Sequence, residues 1–565
     1  MYDLLIRRGV LVDGTGAEGR VADVAVTDGR IAAVGELNGA ARRTLDAEGL
    51  VVAPGFIDVH THYDAQAFWD GTLSPSPLHG VTTVVAGNCG FSIAPLDPQD
   101  ADYLMRMLAR VEGMPLESLR EGVPWNWRTT AEYFDRLEGT LTPNAGFMVG
   151  HSAIRRAVMH DDAVGGRATP DQIRAMQQLL RDGLAAGALG FSSTWSASHN
   201  DHNGDPVPSR HADEAELLAL CAVVREFPGT SLEFIPGVGA MTEERMELMA
   251  AMSSTAGRPL NWNVLQVNSG NREYVEHQLR ASDIAAERGG TVLALTVPDS
   301  IRSRLNFLSG FGLDILPGWG PLMGLAHAEK VAMLADPVGR AEMARLAETA
   351  EGQIRGIGDW SSYRLLETFS PSTKPLEGRL VGEIAQETRR APWDVLADVV
   401  VADDLRTVIT RGDQFPDDES WRLRVEAWRD NRTIVGASDA GAHLDMIDTY
   451  SYATTMLAEA VRKRSLLPLE EAVSFLTSAP AELYGLVDRG FIGEGAWADL
   501  VLFDPDTIGP MPAATRFDLP GGAGRIYGGA NGVAHVIVGG CDVVDHGEFT
   551  DARPGHILRA GTDTR

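Results

Sequence analysis

Cysteine and lysine are almost missing from this chain. Its 565 residues include three cysteines, Cys89, Cys221 and Cys541, far apart in the sequence. They form no CxxC pair and no disulfide framework. The lysines are Lys330, Lys374 and Lys463, so the basic charge is nearly all arginine. Positive charge is itself in deficit: 49 basic against 78 acidic residues leave a formal net charge of −29. Such a field repels phosphate, which argues against a nucleic-acid partner and is otherwise read as solubility. No run of about 18 uncharged apolar residues occurs, so no membrane span is expected. The chain opens directly in a strand-like pattern, Met1-Tyr-Asp-Leu-Leu-Ile-Arg-Arg, without the charge-then-apolar order of a secretory signal. A cytoplasmic location is the expectation, and composition leaves a homo-oligomer open.

What is present is a well-buried globular chain, 44% apolar and long enough for two structural units. Both ends are β-rich. Two apolar runs flank Asp28-Gly29, a hairpin signal in which glycine supplies a positive φ. Leu4 to Val12 reads as a strand pair, and Ala498–Asp504 and Val533–Gly540 read as strands near the other end. Residues 1–54 and 486–565 are therefore expected to form one small β-domain from both termini. Residues 55–485 alternate short apolar strands with helical periodicity, as in Pro170–Ala186 and Glu214–Arg225. Strand candidates begin near residues 55, 82, 145, 188, 231, 260, 291 and 433. Alternation of this kind predicts an α/β fold, a (β/α)8 TIM-type barrel. Residues 301–425 exceed a simple crossover and read as an insertion over the barrel mouth.

Three motifs at strand ends carry chemistry. Gly55-Phe-Ile-Asp-Val-His60-Thr-His62 is an apolar strand ending in His-x-His. Residues two apart on a strand share a side, so both imidazoles reach one metal at the catalytic end of a barrel strand. Gly436-Ala-Ser438-Asp439-Ala-Gly-Ala-His443 follows a late strand. Asp439 there serves as metal ligand and proton acceptor, or as a helix N-cap, and the two roles are compatible. Gly87-Asn-Cys89-Gly90 follows the second strand. Its thiolate is a zinc ligand, the alternative being a buried inert cysteine. His151, with Arg155 four residues on, is read as orienting or polarising a substrate carbonyl, or else as a supporting histidine. His443 is placed on a helix start facing the site. His199 and His202 lie in a polar loop near the mouth, either solvated or at the site, and His211 is a further candidate. Arg155, Arg302 and Arg304 are the arginines available for a substrate carboxylate.

In this order the motifs resemble the amidohydrolase superfamily, specifically its N-acyl-D-amino-acid deacylase (D-aminoacylase) branch. The resemblance continues through Gly150-His-Ser-Ala-Ile-Arg155, Gly187-Ala-Leu-Gly-Phe-Ser192, Asp488-Arg-Gly490, Ala496-Trp-Ala-Asp-Leu-Val-Leu-Phe-Asp504 and Asp518-Leu-Pro-Gly-Gly-Ala523. It implies a distorted barrel with a small β-sandwich from both termini. It also implies His60, His62 and Cys89 as metal ligands, and Asp439 as a metal-associated general base and acid. The chain departs from the family where histidines should follow the fifth and sixth strands. Leu232-Glu233-Phe-Ile-Pro236 and Asn261-Trp-Asn263-Val-Leu-Gln266-Val267 contain none, and no lysine falls where a carboxylated bridge would sit. The expectation is one divalent metal, zinc by its ligand types, held by His60, His62, Cys89 and Asp439, with Glu233 and Gln266 as pocket candidates. The expected activity is hydrolysis of an amide-type C–N bond in a small-molecule substrate. The alternatives are a cyclic amide or imide hydrolase, and a non-catalytic ligand-binding homologue.

Overall fold

The computed structural model of the protein describes residues 1–237, 241–298, 303–411 and 417–565. Eight parallel segments make the central barrel: β1 (Phe56–Asp58), β2 (Val81–Ala86), β3 (Asn144–Phe147, resuming at Val149–Gly150), β4 (Gly190–Thr194), β5 (Ser231–Ile235), β6 (Leu260–Trp262), β7 (Val292–Thr296) and β8 (Thr433–Val435). Each pairs with the next in order. The break at Met148 splits β3, so its first half pairs with β2 and its second with β4. Between β1 and β8 the barrel closes only past the strand ends, where Thr61 bridges to Ala440. The result is a distorted barrel whose seam lies at its mouth. Its strands are nearly all buried on both faces, which is why they read as continuous apolar runs.

Helices wrap the strands for local reasons. Pro170–Ala185 starts with a Thr169/Gln172 capping box and a proline in its first turn, then buries Met176, Leu180 and Leu184 along one stripe. Nine strands from both termini form one further sheet. Val51–Pro54 joins its halves, running parallel to the first strand and antiparallel to Leu500–Phe503. Leu4, Ile6, Val24, Val52, Leu500 and Ile537 fill its core. Asp28 (φ 51°) and Gly29 (φ 73°) make the expected hairpin turn. Leu4 to Val12 is not a strand pair, however. Tyr2–Leu11 is one strand with a bulge between Ile6 and Gly9, where Arg8 takes φ 62°.

The segment between β7 and β8 has a core of its own. Three antiparallel strands, Arg304–Asn306, Val408–Arg411 and Tyr363–Glu367, support helices around Phe307, Trp319, Trp360 and Trp393. The Trp360 and Trp393 rings are 4.9 Å apart. The following helix, Asp418–Trp428, packs Trp421 and Trp428 into the barrel core instead. No described helix is long and apolar enough to cross a membrane.

Candidate active site

The mouth of β1 and β8 is locked by backbone bonds. His62 N donates to Ala440 O (2.7 Å) and Asp439 N to His60 O (3.0 Å). Ser438 Oγ donates to the buried Asp58 carboxyl, tying the two strands again. The turn after β8 is strained: Ala437, Asp439 and His443 all have left-handed φ, at 65°, 60° and 47°. Non-glycine residues hold that conformation only when their surroundings enforce it, a common feature of functional sites. His443 is therefore in a turn, not on a helix start.

The cysteine turn is held just as firmly. Gly87 N donates to Asp64 Oδ2 (2.9 Å), Gly90 N to Ser192 Oγ (3.0 Å), and Ser192 Oγ to Gly87 O (2.5 Å). Gly87 has φ 77°, and a Cβ there would meet Met148 O at 2.5 Å, so only glycine fits. Cys89 N donates to Glu233 Oε2 on β5 (2.8 Å).

These elements bring four donor atoms together. Cys89 Sγ lies 3.4 Å from His60 Nε2 and 3.7 Å from His62 Nε2. Asp439 Oδ1 lies 3.6 Å from His60 Nε2 and 3.0 Å from His62 Nε2. A tetrahedral ion with ordinary zinc bond lengths spaces N and S ligands about 3.6 Å apart, and N and O ligands about 3.3 Å apart. The observed separations bracket both values for these pairs; His60, His62 and Cys89 converge on one point and His62, Glu112 and Asp439 on a neighbouring one, the two sharing His62. The electrostatics agree. Burial lowers the His60 imidazole to about 3, so it presents a neutral ring. Burial also opposes charge on His62, but Glu112, the hydrogen bond with Asp439 and the charges of Asp439 and Asp64 push it up to about 10. Burial raises the Asp439 carboxyl, yet the hydrogen bond with His62 and the charges of His62, His443 and His60 carry it well below the usual carboxylate range. Burial pushes the Cys89 thiol well up. A positive charge is therefore stabilised at this point, and a cation would favour the thiolate.

Sequence reasoning missed Glu112 and Asn263 here. Glu112, just past the helix Ala101–Val111, puts Oε1 3.7 Å from His62 Nδ1 and accepts from His443 N through its backbone oxygen. No local pattern marks it. Asn263 Nδ2 stands 3.2 Å from His60 Nε2, just past the sixth strand. Glu233 stands at the fifth, buried, its Oε1 3.9 Å from His60 Nδ1. Gln266 is exposed and away from the pocket. His199 comes out of its polar loop: Thr194 Oγ1 holds its Nδ1 (2.9 Å), and its ring packs on Phe91. Burial, with the charge of His443, lowers it to about 3, and it interacts electrostatically with Asp439 and His62. His202 packs on Tyr103, and His211 bonds to Pro206 O.

His151 and Arg155 are committed elsewhere. His151 Nδ1 bonds to Ser193 Oγ (2.9 Å) and its Nε2 to Glu216 Oε1 (3.0 Å). Arg155 spends its fully buried guanidinium on Glu216, Ala163 O and Gly166 O. Neither has a group left to receive a substrate carbonyl or carboxylate, so the expected roles are corrected to a buried structural network. Arg304 is paired with Glu367, and Arg302 lies outside the described residues. Lys330 donates to Phe307 O and Leu308 O, while Lys374 and Lys463 pair with surface glutamates. A cavity of about 570 Å³ lies between the insertion and the mouth, lined by Arg110, Gly113, Phe311, Asp314, Lys330 and Asp445. Phe311 packs on the His443 ring, with centroids 5.1 Å apart, and Gly113 also borders His443.

Convergent His, Cys and Asp donors at the C-terminal mouth of a parallel barrel define a metallohydrolase type of site. Comparison with known proteins narrows the class. The Amidohydrolase family model matches residues 43–544, and the chain belongs to that family. It is 30% identical to a D-aminoacylase of Alcaligenes xylosoxydans xylosoxydans, over 99% of this chain and 97% of that one. A solved D-aminoacylase, described as having a binuclear metal centre with one-metal activation and second-metal attenuation, superposes with a TM-score of 0.65 at 27% identity, covering 99% of this chain and all of that one. A solved N-acyl-D-glutamate deacylase of Bordetella bronchiseptica, in complex with zinc and a phosphonate mimic of the tetrahedral intermediate, gives 0.63 at 27% identity with the same coverage.

Proposed function

We propose that this protein hydrolyses the amide bond of N-acyl-D-amino acids with one zinc ion held by His60, His62, Cys89 and Asp439. The observation that carries the reading is the convergence of His60, His62 and Cys89 on one point, with Asp439 Oδ1 3.0 Å from His62 Nε2. The full-length likeness to deacylases of N-acylated D-amino acids supports the substrate class. When bound, the metal polarises the scissile carbonyl and brings the pKa of water from 15.7 toward about 7.

The residues divide the remaining work. Asp439 turns Oδ1 toward the histidines, while its Oδ2 lies 3.6 Å from His443 Nε2. The second oxygen accepts the proton of the attacking water and returns it to the leaving amine. His443 orients that oxygen. His199, neutral and fixed through Nδ1, replaces His151 as the side chain that holds the substrate carbonyl. The 570 Å³ cavity beside His443 is of the size that takes a small acylated amino acid.

The test is elemental analysis together with an assay on N-acyl-D-amino acids. Wild type should release free amino acid, and the His60→Ala/His62→Ala protein should release none and hold about one zinc equivalent fewer per chain than wild type. Loss of two metal equivalents with His60 and His62 would make Glu233 and Asn263 part of a second barrel position and end the mononuclear reading. No metal after reconstitution would end the proposal.

A further inference from the structure

The terminal sheet carries a second group of metal-ligating side chains, far in sequence from the barrel motifs. It lies on the antiparallel pair Val533–Val538 and Cys541–Asp545 and on the turn that follows. His535 stands directly opposite Asp545, Val536 opposite Val544, but Ile537 opposite Asp542. Val543 is thus an extra residue, a bulge. In a regular strand residues 542 and 545 would face opposite sides; the bulge brings Asp542 into phase with Asp545, on the side of His535.

Distances bear this out. His535 Nδ1 is 3.4 Å from Asp545 Oδ1 and 3.7 Å from Asp542 Oδ1. His546, held in the turn at φ 48°, places Nδ1 2.6 Å from Asp545 Oδ1. Its ring stands edge-on to that of His535, with centroids 5.1 Å apart. Two of the donors are buried without a hydrogen-bond partner: His535 Nδ1, on a residue 9% exposed, and Asp542 Oδ1, on a side chain 9% exposed. A buried imidazole nitrogen and a buried carboxylate oxygen 3.7 Å apart, neither in a hydrogen bond, are incompletely satisfied, and an ion bound to both would relieve that cost. The other Asp542 oxygen pairs with the half-exposed Arg43.

We propose that His535, Asp542, Asp545 and His546 form a second divalent-cation site, independent of the barrel centre. Two imidazoles with two carboxylates select a borderline ion of the zinc type over calcium or magnesium. Its bonds would clip the last turn onto the buried strand beneath it.

Zinc titration against a chromophoric chelator tests this in the full-length protein. In the His60→Ala/His62→Ala background, which removes the barrel ligands, about one zinc equivalent should remain. Adding His546→Ala, an exposed position whose loss leaves the core untouched, should weaken that equivalent at least tenfold. Asp545→Asn in the otherwise wild-type protein should do the same while leaving the barrel equivalent in place. Zinc should also raise the thermal midpoint of wild type and fail to raise it in His546→Ala. Unchanged zinc affinity in both His546→Ala and Asp545→Asn would overturn the proposal, whatever the barrel site proves to do.

Discussion

Asp439 has two oxygens with two tasks, and the proposal separates them by substitution. Asp439→Asn keeps the side chain's shape, and His60, His62 and Cys89 still hold the ion. Zinc content should stay at the wild-type level while kcat falls on the order of 10²–10⁴-fold. Equal loss of zinc and activity would reduce Asp439 to a ligand. Glu233 is a different case. Burial pushes its carboxyl up to about 8, and it accepts the Cys89 N–H. Glu233→Gln preserves an acceptor there, and stability should barely change. Glu233→Ala orphans a buried donor, at a cost of about 1–3 kcal/mol, visible as a lower unfolding midpoint. Equal midpoints for the two variants would contradict that account.

At the scale of the element, the turns after the strands matter more than the strands. Gly87→Ala puts a Cβ against Met148 O and asks alanine to hold a positive φ. It should shift Cys89 and lower zinc affinity at least tenfold, read by competition with a chelator; an unaffected affinity would show that the cysteine turn does not set the site. The helix His151–Met159 is anchored through a buried triad of Glu216 with His151 and Arg155. Burial raises the Glu216 carboxyl, but His151 and Arg155 more than offset this and leave it low. Burial keeps the His151 imidazole low. Both groups bind protons more readily in the unfolded chain, so their contribution is present above the unfolded pKa values, about 6.5 for His and 4.3 for Glu. It is lost as pH falls from about 6.5 through the folded values. Glu216→Gln, which leaves Arg155 buried and unpaired, should cost roughly 3–5 kcal/mol at neutral pH. Denaturant melts from pH 7 to 4 should show a flatter pH dependence in that variant than in wild type; parallel curves would remove the triad from the account.

For the molecule as a whole, the described residues of the insertion meet the surroundings of the site at several points, Arg304 N donating to Met446 O among them. Asn306 bonds to Asp445, Asp314 pairs with Arg110, and Phe311 packs on His443. Phe311→Ala should raise KM for N-acyl-D-amino acids several-fold without changing zinc content or the unfolding midpoint, because the insertion core of Trp319, Trp360 and Trp393 is untouched. An unchanged KM for every acyl chain tried would detach the insertion from substrate binding.

The eight barrel strands and the termini-built sheet were legible in the sequence because they rest on local regularities: continuous apolar runs, a two-residue period on strands and glycine at positive φ. The His60, His62, Cys89 and Asp439 motifs were legible for the same reason, each standing immediately after such a run. Family membership followed from their order. Glu112 was not legible as a site residue, since a glutamate past a helix carries no signal until the chain folds it toward His62; the polar loop of His199 left a solvated and a site position open. For His151 and Arg155, motif position left a substrate role and a supporting role open, and their packing favours the second. Glu216, over 60 residues away, claims both, and a side chain's available donors depend on neighbours that only packing supplies. The bulge at Val543 makes the same point on the terminal sheet: one extra residue in a strand decides which carboxylates share a face, and that is a property of pairing, which the tertiary structure alone determines.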